Sequence, residues 1–291
     1  MSAVVVDGLG KRYHRKWALR DCSLTIPEGR LVGLVGANGA GKSTLLHLLN
    51  GLAAPSEGRA EVLGTTPRGA LPRTGFVSQD APVYAGLTVA EHLRLGAALN
   101  PTWNHDAARA RVERLGLDLS QRAGKLSGGQ RAQLALTLAV GKQPDLLILD
   151  EPVSSLDPLA RRQFLEDLVT LAADAQPTIL LSSHLLSDVE RICDYVIVLR
   201  DGALQLAGDV DDLLAQHKLI IGRRRAAARL PENDRVVFAS HTDRQTTALI
   251  RTRTPIVDPG WAVHDVGLEE LVLGYMRGDE RDARVVTAVA S

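Results

Sequence analysis

The stretch Gly36-Ala37-Asn38-Gly39-Ala40-Gly41-Lys42-Ser43-Thr44 has the spacing GxxxxGK[ST]. Residues of these types, so spaced, hold phosphate. The glycines let successive backbone N–H groups turn inward around the β- and γ-phosphates of a nucleotide. Lys42 is placed to contact the β/γ oxygens, and the Ser43 hydroxyl to ligate Mg²⁺. Gly36, Asn38, Gly39, Ala40, Gly41, Lys42, Ser43 and Thr44 are therefore candidate contacts to ATP. Further on, LLILDE puts Asp150 and Glu151 together at the end of an apolar run. Adjacent strand residues face opposite sides, so the two carboxylates take different work. Asp150 is assigned to Mg²⁺ through water, and Glu151 to orienting or deprotonating the attacking water. A third segment, Leu126-Ser127-Gly128-Gly129-Gln130, begins a helix with a Ser cap and two entropically costly glycines. Bare backbone there makes sense if an anion approaches the helix N-terminus closely.

These groups need a scaffold, and the apolar pattern supplies one. LVGLVG (31–36) reads as a buried strand, followed by the glycine loop and the helix KSTLLHLLN, which Gly51 stops. GFVSQ (75–79), LLILD (146–150) and TILLSS (178–183) are further continuous apolar strands. Runs without polar alternation suit a parallel sheet covered on both faces. YVIVLRDGALQLAG (195–208) predicts a hairpin turning at Asp201-Gly202. Residues 88–142 switch to a helical pattern and form an all-α insert. After residue 216 the signal weakens. GRRRAAAR (222–229) is basic and irregular, RVVFAS and TALIRTRT read as strands, and GLEELVLGYM as a short amphipathic helix. Residues 216–276 are expected to form a small α+β appendage, followed by a loosely held tail to 291.

Phosphate loop, LSGGQ and LLILDEP occur in that order, with SSLDP close behind. This resembles the nucleotide-binding subunit of ABC transporters over roughly residues 3–215, with LSGGQ the most specific motif. The resemblance implies an α/β P-loop NTPase ABC cassette: a parallel-sheet core, an antiparallel β part and an α-helical subdomain at about 88–142. It implies further roles by position. Tyr13, in KRYHRKWAL, matches an aromatic that stacks on adenine, with Trp17 as its rival. Gln79 matches a glutamine that senses Mg²⁺ and the water, and that links to a membrane partner. Asp157 matches an inter-subunit aspartate, and His184 a γ-phosphate histidine. Ser127, Gly128, Gly129 and Gln130 would then meet the γ-phosphate held by another copy, since this chain's own loop already surrounds its ATP. The chain departs from the more usual EPTSGLDP at Val153 and Ser155. On this resemblance two chains join head to tail as a homodimer, trap two ATP molecules and drive a permease on a separate chain. The loop at 80–88 and the helical insert would dock on that permease. The single cassette and short appendage resemble ATPases of ABC-2-type bacterial exporters. The alternative is an ABC ATPase that transports nothing, signalling mechanically through a membrane partner or serving DNA or the ribosome.

Bulk properties narrow the classes. Across 291 residues, 34 Lys+Arg balance 34 Asp+Glu, so the basic excess usual in nucleic-acid binders is missing. Cys22 and Cys193 stand alone without metal-ligand spacing, which suits reduced buried thiols. Neither a bilayer-spanning run nor a signal peptide is legible. The expected location is cytoplasmic, held at the inner face of the membrane through the permease.

Overall fold

The computed structural model describes residues 1–79, 83–154, 156–223 and 235–277. The chain opens with β1 (Ser2–Tyr13) and β2 (Lys16–Pro27), then enters the buried strand β3 (Leu31–Val35). Helix α1 (Lys42–Leu49) follows, then β4 (Glu57–Val62) and β5 (Thr74–Val77). Three helices come next: α2 (Val89–Leu99), α3 (His105–Arg114) and α4 (Gly128–Gly141). The chain then returns through β6 (Leu146–Asp150), α5 (Pro158–Ala175), β7 (Thr178–Ser183) and α6 (Leu186–Ile192). The hairpin β8 (Tyr195–Arg200) and β9 (Ala203–Asp209) closes the main sheet.

That sheet has the order β5-β6-β7-β3-β8-β9, parallel except for β9. Its strands are buried on both faces, and alternation within them divides the core in two. Val35, Leu147, Leu149, Ile179 and Leu181 point to the side covered by α4, α5 and α6. Val32, Leu34, Leu146, Ile148 and Leu180 point to the other side, against α1 and the antiparallel sheet β2-β1-β4. A period of two thus gives each strand two apolar faces, which is why these runs read as continuous. The β8–β9 turn forms at Asp201-Gly202, with φ of 50° and 76°, the left-handed pair that a tight hairpin needs.

Each of the three α-helices of the insert starts on a side-chain cap. The Thr88 hydroxyl accepts from the Glu91 N–H at 3.2 Å while Glu91 accepts the Thr88 N–H at 2.7 Å. Asn104 caps α3. Leu93, Val112 and Leu134 form a local core for the insert, whereas Leu136, farther along α4, belongs to the main core. Helix α4 is therefore shared between the two.

Beyond α7 (Val210–Ala215), an antiparallel sheet of order β11-β12-β10-β13 forms. Its strands are β10 (His217–Arg223), β11 (Arg235–His241), β12 (Gln245–Arg251) and β13 (Trp261–Asp265). Helix α8 (Leu268–Arg277) follows. The sequence pattern yields β11, β12 and α8 but misses β10, β13 and α7. Gly222 and Arg223, expected to be irregular, close β10, and the rest of that basic run lies outside the described residues. So do residues 80–82 of the expected docking loop, Ser155, and the tail from 278. The appendage is not a loose attachment: Leu249, Leu268, Leu271, Val272 and Tyr275 share one core with Val189, Val196 and Val198.

At this junction His217 is fully buried. Its Nδ1–H donates to the Leu213 carbonyl at 2.6 Å, so Nε2 accepts from the Tyr275 hydroxyl at 2.9 Å. Burial first, and the Arg251 charge after it, push its pKa below the ordinary value. A histidine held neutral stabilises the fold fully above its unfolded pKa of about 6.5, and that share is lost as pH falls through the lowered folded value. Wild-type protein is expected to lose more thermal stability between about pH 7.5 and about pH 5 than His217→Gln does. Equal losses in melting experiments would contradict this role.

Candidate functional site

The carboxyl ends of the parallel strands converge on one edge of the main sheet, where open α/β sheets bind ligands. Gly36–Gly41 form the loop from β3 to α1 and Lys42–Thr44 open that helix, while β5 leads to Gln79, β6 ends at Asp150 and β7 leads to His184. A cleft of about 670 Å³ opens there, lined by Asn38, Gly39, Gly41, Lys42, Ser43 and Thr44 on one side. Gln79, Glu151 and His184 line it opposite, and Tyr13 and Trp17 stand at the β1–β2 end. Gly36 and Ala40 are buried beneath the loop, where the Ala40 N–H donates to the Ala37 carbonyl at 3.0 Å. Gly41, at φ 104°, caps α1, and a Cβ there would meet the Ala18 carbonyl at 2.5 Å. The turn fits against β2 only without a side chain.

Lys42 is 5% exposed, and its ammonium donates to the Gly36 carbonyl at 2.9 Å and the Ala37 carbonyl at 3.4 Å. It also lies 3.4 Å from Glu151 Oε1, while Glu151 Oε2 is 3.1 Å from His184 Nδ1. Lysine, carboxylate and imidazole thus form one network across the cleft. Sequence reasoning separates Asp150 from Glu151 by strand alternation; the structure separates them by a turn. β6 stops at Asp150, and Glu151 has φ 45°, the left-handed region that a non-glycine residue occupies under constraint. The constraint is Ser182, the parallel partner of Asp150 on β7. Its hydroxyl donates to Asp150 Oδ1 at 2.7 Å and accepts the Glu151 N–H at 2.8 Å. Ser182 belongs to none of the sequence motifs. The available signal was a pair of serines ending an otherwise apolar strand that neighbours the acid pair.

Asp150 is 4% exposed and sits behind the cleft wall rather than on it. Ser43, Gln79 and Asp150 offer hydroxyl, amide and carboxylate oxygens, a hard donor set that suits Mg²⁺. Among the described residues no three His, Cys, Asp or Glu side chains are grouped so that they could hold a metal ion by themselves.

Two predicted groups lie apart from the cleft lining. Ser127 is exposed and caps α4, accepting the Gln130 N–H at 3.2 Å while Gln130 Oε1 accepts the Ser127 N–H at 2.9 Å. Asp157 is exposed and caps α5, accepting from the Leu159 and Ala160 N–H groups at 3.0 Å each. The glycines of α4 gain a second explanation, because a Cβ on Gly129 would stand 3.0 Å from the Ala160 Cβ. Bare backbone there lets the starts of α4 and α5 touch.

Tyr13 is 46% exposed, with the Lys11 ammonium 5.0 Å from its ring centroid. Trp17 carries the Arg12 guanidinium 5.4 Å from its own. Both rings offer a flat surface beside the phosphate loop.

The ABC transporter family matches residues 19–154, a span holding the phosphate loop, LSGGQ and the acid pair. An ABC transporter ATP-binding protein of Nostoc sp. is 39% identical over 208 residues, covering 68% of this chain, which spans 61% of that protein. The thiamine import ATP-binding protein ThiQ of Shigella flexneri is 35% identical over 66% of this chain and 87% of its own length. The Nod factor export ATP-binding protein I of Rhizobium johnstonii is 37% identical over 69% of this chain and 68% of its own length. A solved structure of the ATP-binding subunit of an ABC transporter superposes with a TM-score of 0.66 at 30% identity, over 74% of this chain and 93% of that one. Motif order, sheet topology and these likenesses agree, and the chain belongs to the ABC transporter family as an ATP-binding subunit.

Proposed function

We propose that this chain hydrolyses ATP as the motor subunit of a membrane exporter of the ABC-2 type, working as a head-to-tail homodimer beneath a permease. One observation carries the reading. The cleft gathers Tyr13, the phosphate loop, Gln79, Glu151 and His184, while exposed Ser127, half-buried Gly128–Gln130 and exposed Asp157 lie outside its lining. A site divided in this way is incomplete in one copy and completed by the other. In this reading residues 1–215 are the cassette and 216–291 an accessory region. Lys42, the loop N–H groups and Thr44 hold the phosphates of ATP. Ser43, Gln79 and Asp150 hold Mg²⁺, which neutralises phosphate charge when bound. Glu151 draws a proton from the attacking water, and His184 holds the γ-phosphate and steadies Glu151. The partner copy brings Ser127, Gly128, Gly129, Gln130 and Asp157.

No described helix is long and apolar enough to cross a membrane; in this reading translocation is the work of the permease partner. Import and export subunits match this chain at similar identity. The export reading therefore rests on the resemblance of this single cassette, with its α+β appendage, to exporter ATPases. Co-purifying the membrane subunit and assaying transport in vesicles tests it. ATP-driven movement out of the ATP-bearing side supports export; movement toward that side overturns it, and the absence of any membrane partner overturns the transport role.

Tyr13→Ala is expected to weaken ATP binding by about 1–3 kcal/mol, the scale of one base–aromatic stack. Trp17→Ala is expected to lose less. Titration of both variants with a fluorescent ATP analogue checks this, and a larger loss at Trp17 would move the base platform there.

A further inference from the structure

Helix α3, HDAARARVER, is rich in charge, yet Arg111 within it is only 9% exposed. Its Nη2 donates to Gln133 Oε1 of α4 at 2.9 Å and to Asp167 Oδ2 of α5 at 3.0 Å. Gln133 and Asp167 are themselves 8% and 9% exposed. Three helices thus meet at one guanidinium. Gln133 follows the Ser127–Gln130 segment by roughly one helical turn, and Asp167 lies nearly three turns beyond Asp157. At the top of the same two helices Gly129 packs on Ala160. α4 and α5 therefore meet at two heights, once where Gly129 faces the Ala160 methyl and once through Arg111.

A buried ion pair contributes little net stability over apolar residues of similar size. Its placement at a three-helix junction speaks for geometry instead. We infer that Arg111 is a positioning residue. It holds the Ser127–Gln130 end of α4 in fixed register with the Asp157 end of α5, so that both segments reach the other copy's nucleotide as one piece. This rests on the head-to-tail reading above. Arg111 touches neither the cleft nor its ligands, and its role is exerted through α4 and α5.

The test uses the pair variant Arg111→Met/Asp167→Leu, which removes both charges together and leaves no buried carboxylate unpaired. Arg111→Lys serves as the conservative comparison, since an ammonium lacks the planar fork. In nucleotide-free protein, hydrogen exchange at the amides of residues 130–132 is expected to rise on the order of 10-fold, with α1 unchanged. In the Glu151→Gln background, ATP-driven dimerisation is expected to weaken by a similar factor, with single-chain ATP affinity unaltered. Arg111→Lys should fall between. Unchanged exchange overturns the inference, as does faster exchange with dimerisation intact. If the Glu151→Gln parent stays monomeric with ATP, the head-to-tail reading falls, and the exchange arm alone decides whether Arg111 holds α4.

Discussion

Glu151→Gln is expected to bind ATP as the wild type does while hydrolysing it about 10²–10⁴-fold more slowly, the usual scale for losing a positioned base. The reason lies in how little else changes. The backbone of Glu151 is fixed in a left-handed turn by its N–H bond to Ser182, which an amide side chain leaves untouched. Glutamine keeps the length and an oxygen for His184 Nδ1, 3.1 Å away in the wild type. What it loses is the capacity to take a proton, together with the negative charge facing Lys42. Phosphate-release kinetics beside a nucleotide titration separate the two effects. A variant that hydrolyses at the wild-type rate would remove Glu151 from the proposed mechanism.

Lys42→Ala has the second large effect, and it falls on binding. A hydrogen bond to a charged group is worth about 1.5–3 kcal/mol, so ATP affinity is expected to drop about 10- to 150-fold. The loop suffers as well. The ammonium joins the Gly36 and Ala37 carbonyls to Glu151, and its removal leaves both carbonyls and a largely buried carboxylate without their cation. Lys42→Arg keeps the charge but brings a planar fork into a space fitted to a point charge, and should recover only part of the affinity. Equilibrium binding of labelled ATP to the three proteins checks the order wild type, arginine, alanine. Unchanged affinity in Lys42→Ala would contradict the placement of phosphate on this loop.

Much of this site was legible in the residues because its chemistry is local. The phosphate loop, the acid pair and LSGGQ each carry their meaning within a few positions, and the strands that present them are continuous apolar runs. The poorly legible parts depend on contacts distant in sequence. Ser182 matters only because β6 and β7 run side by side and set it opposite Asp150. Glu151 departs from strand geometry because of that same serine. Nothing within HDAARARVER marks Arg111, because its partners Gln133 and Asp167 lie 22 and 56 residues further along. In the appendage, β10 mixes His217, Lys218 and Gly222 with its apolar residues, and four of the five residues of β13 are exposed. Neither strand shows the apolar run that marks the main sheet.

The central claim is that two copies complete each other's nucleotide sites. Sedimentation of Glu151→Gln protein with and without ATP tests it most directly, with Ser127→Arg added to block the α4 N-terminus. The expected result is twice the chain's own mass with ATP, and return to the single-chain mass when Ser127→Arg is present although ATP remains bound. A single-chain mass with ATP bound to Glu151→Gln, or a dimer indifferent to Ser127→Arg, would contradict the shared site.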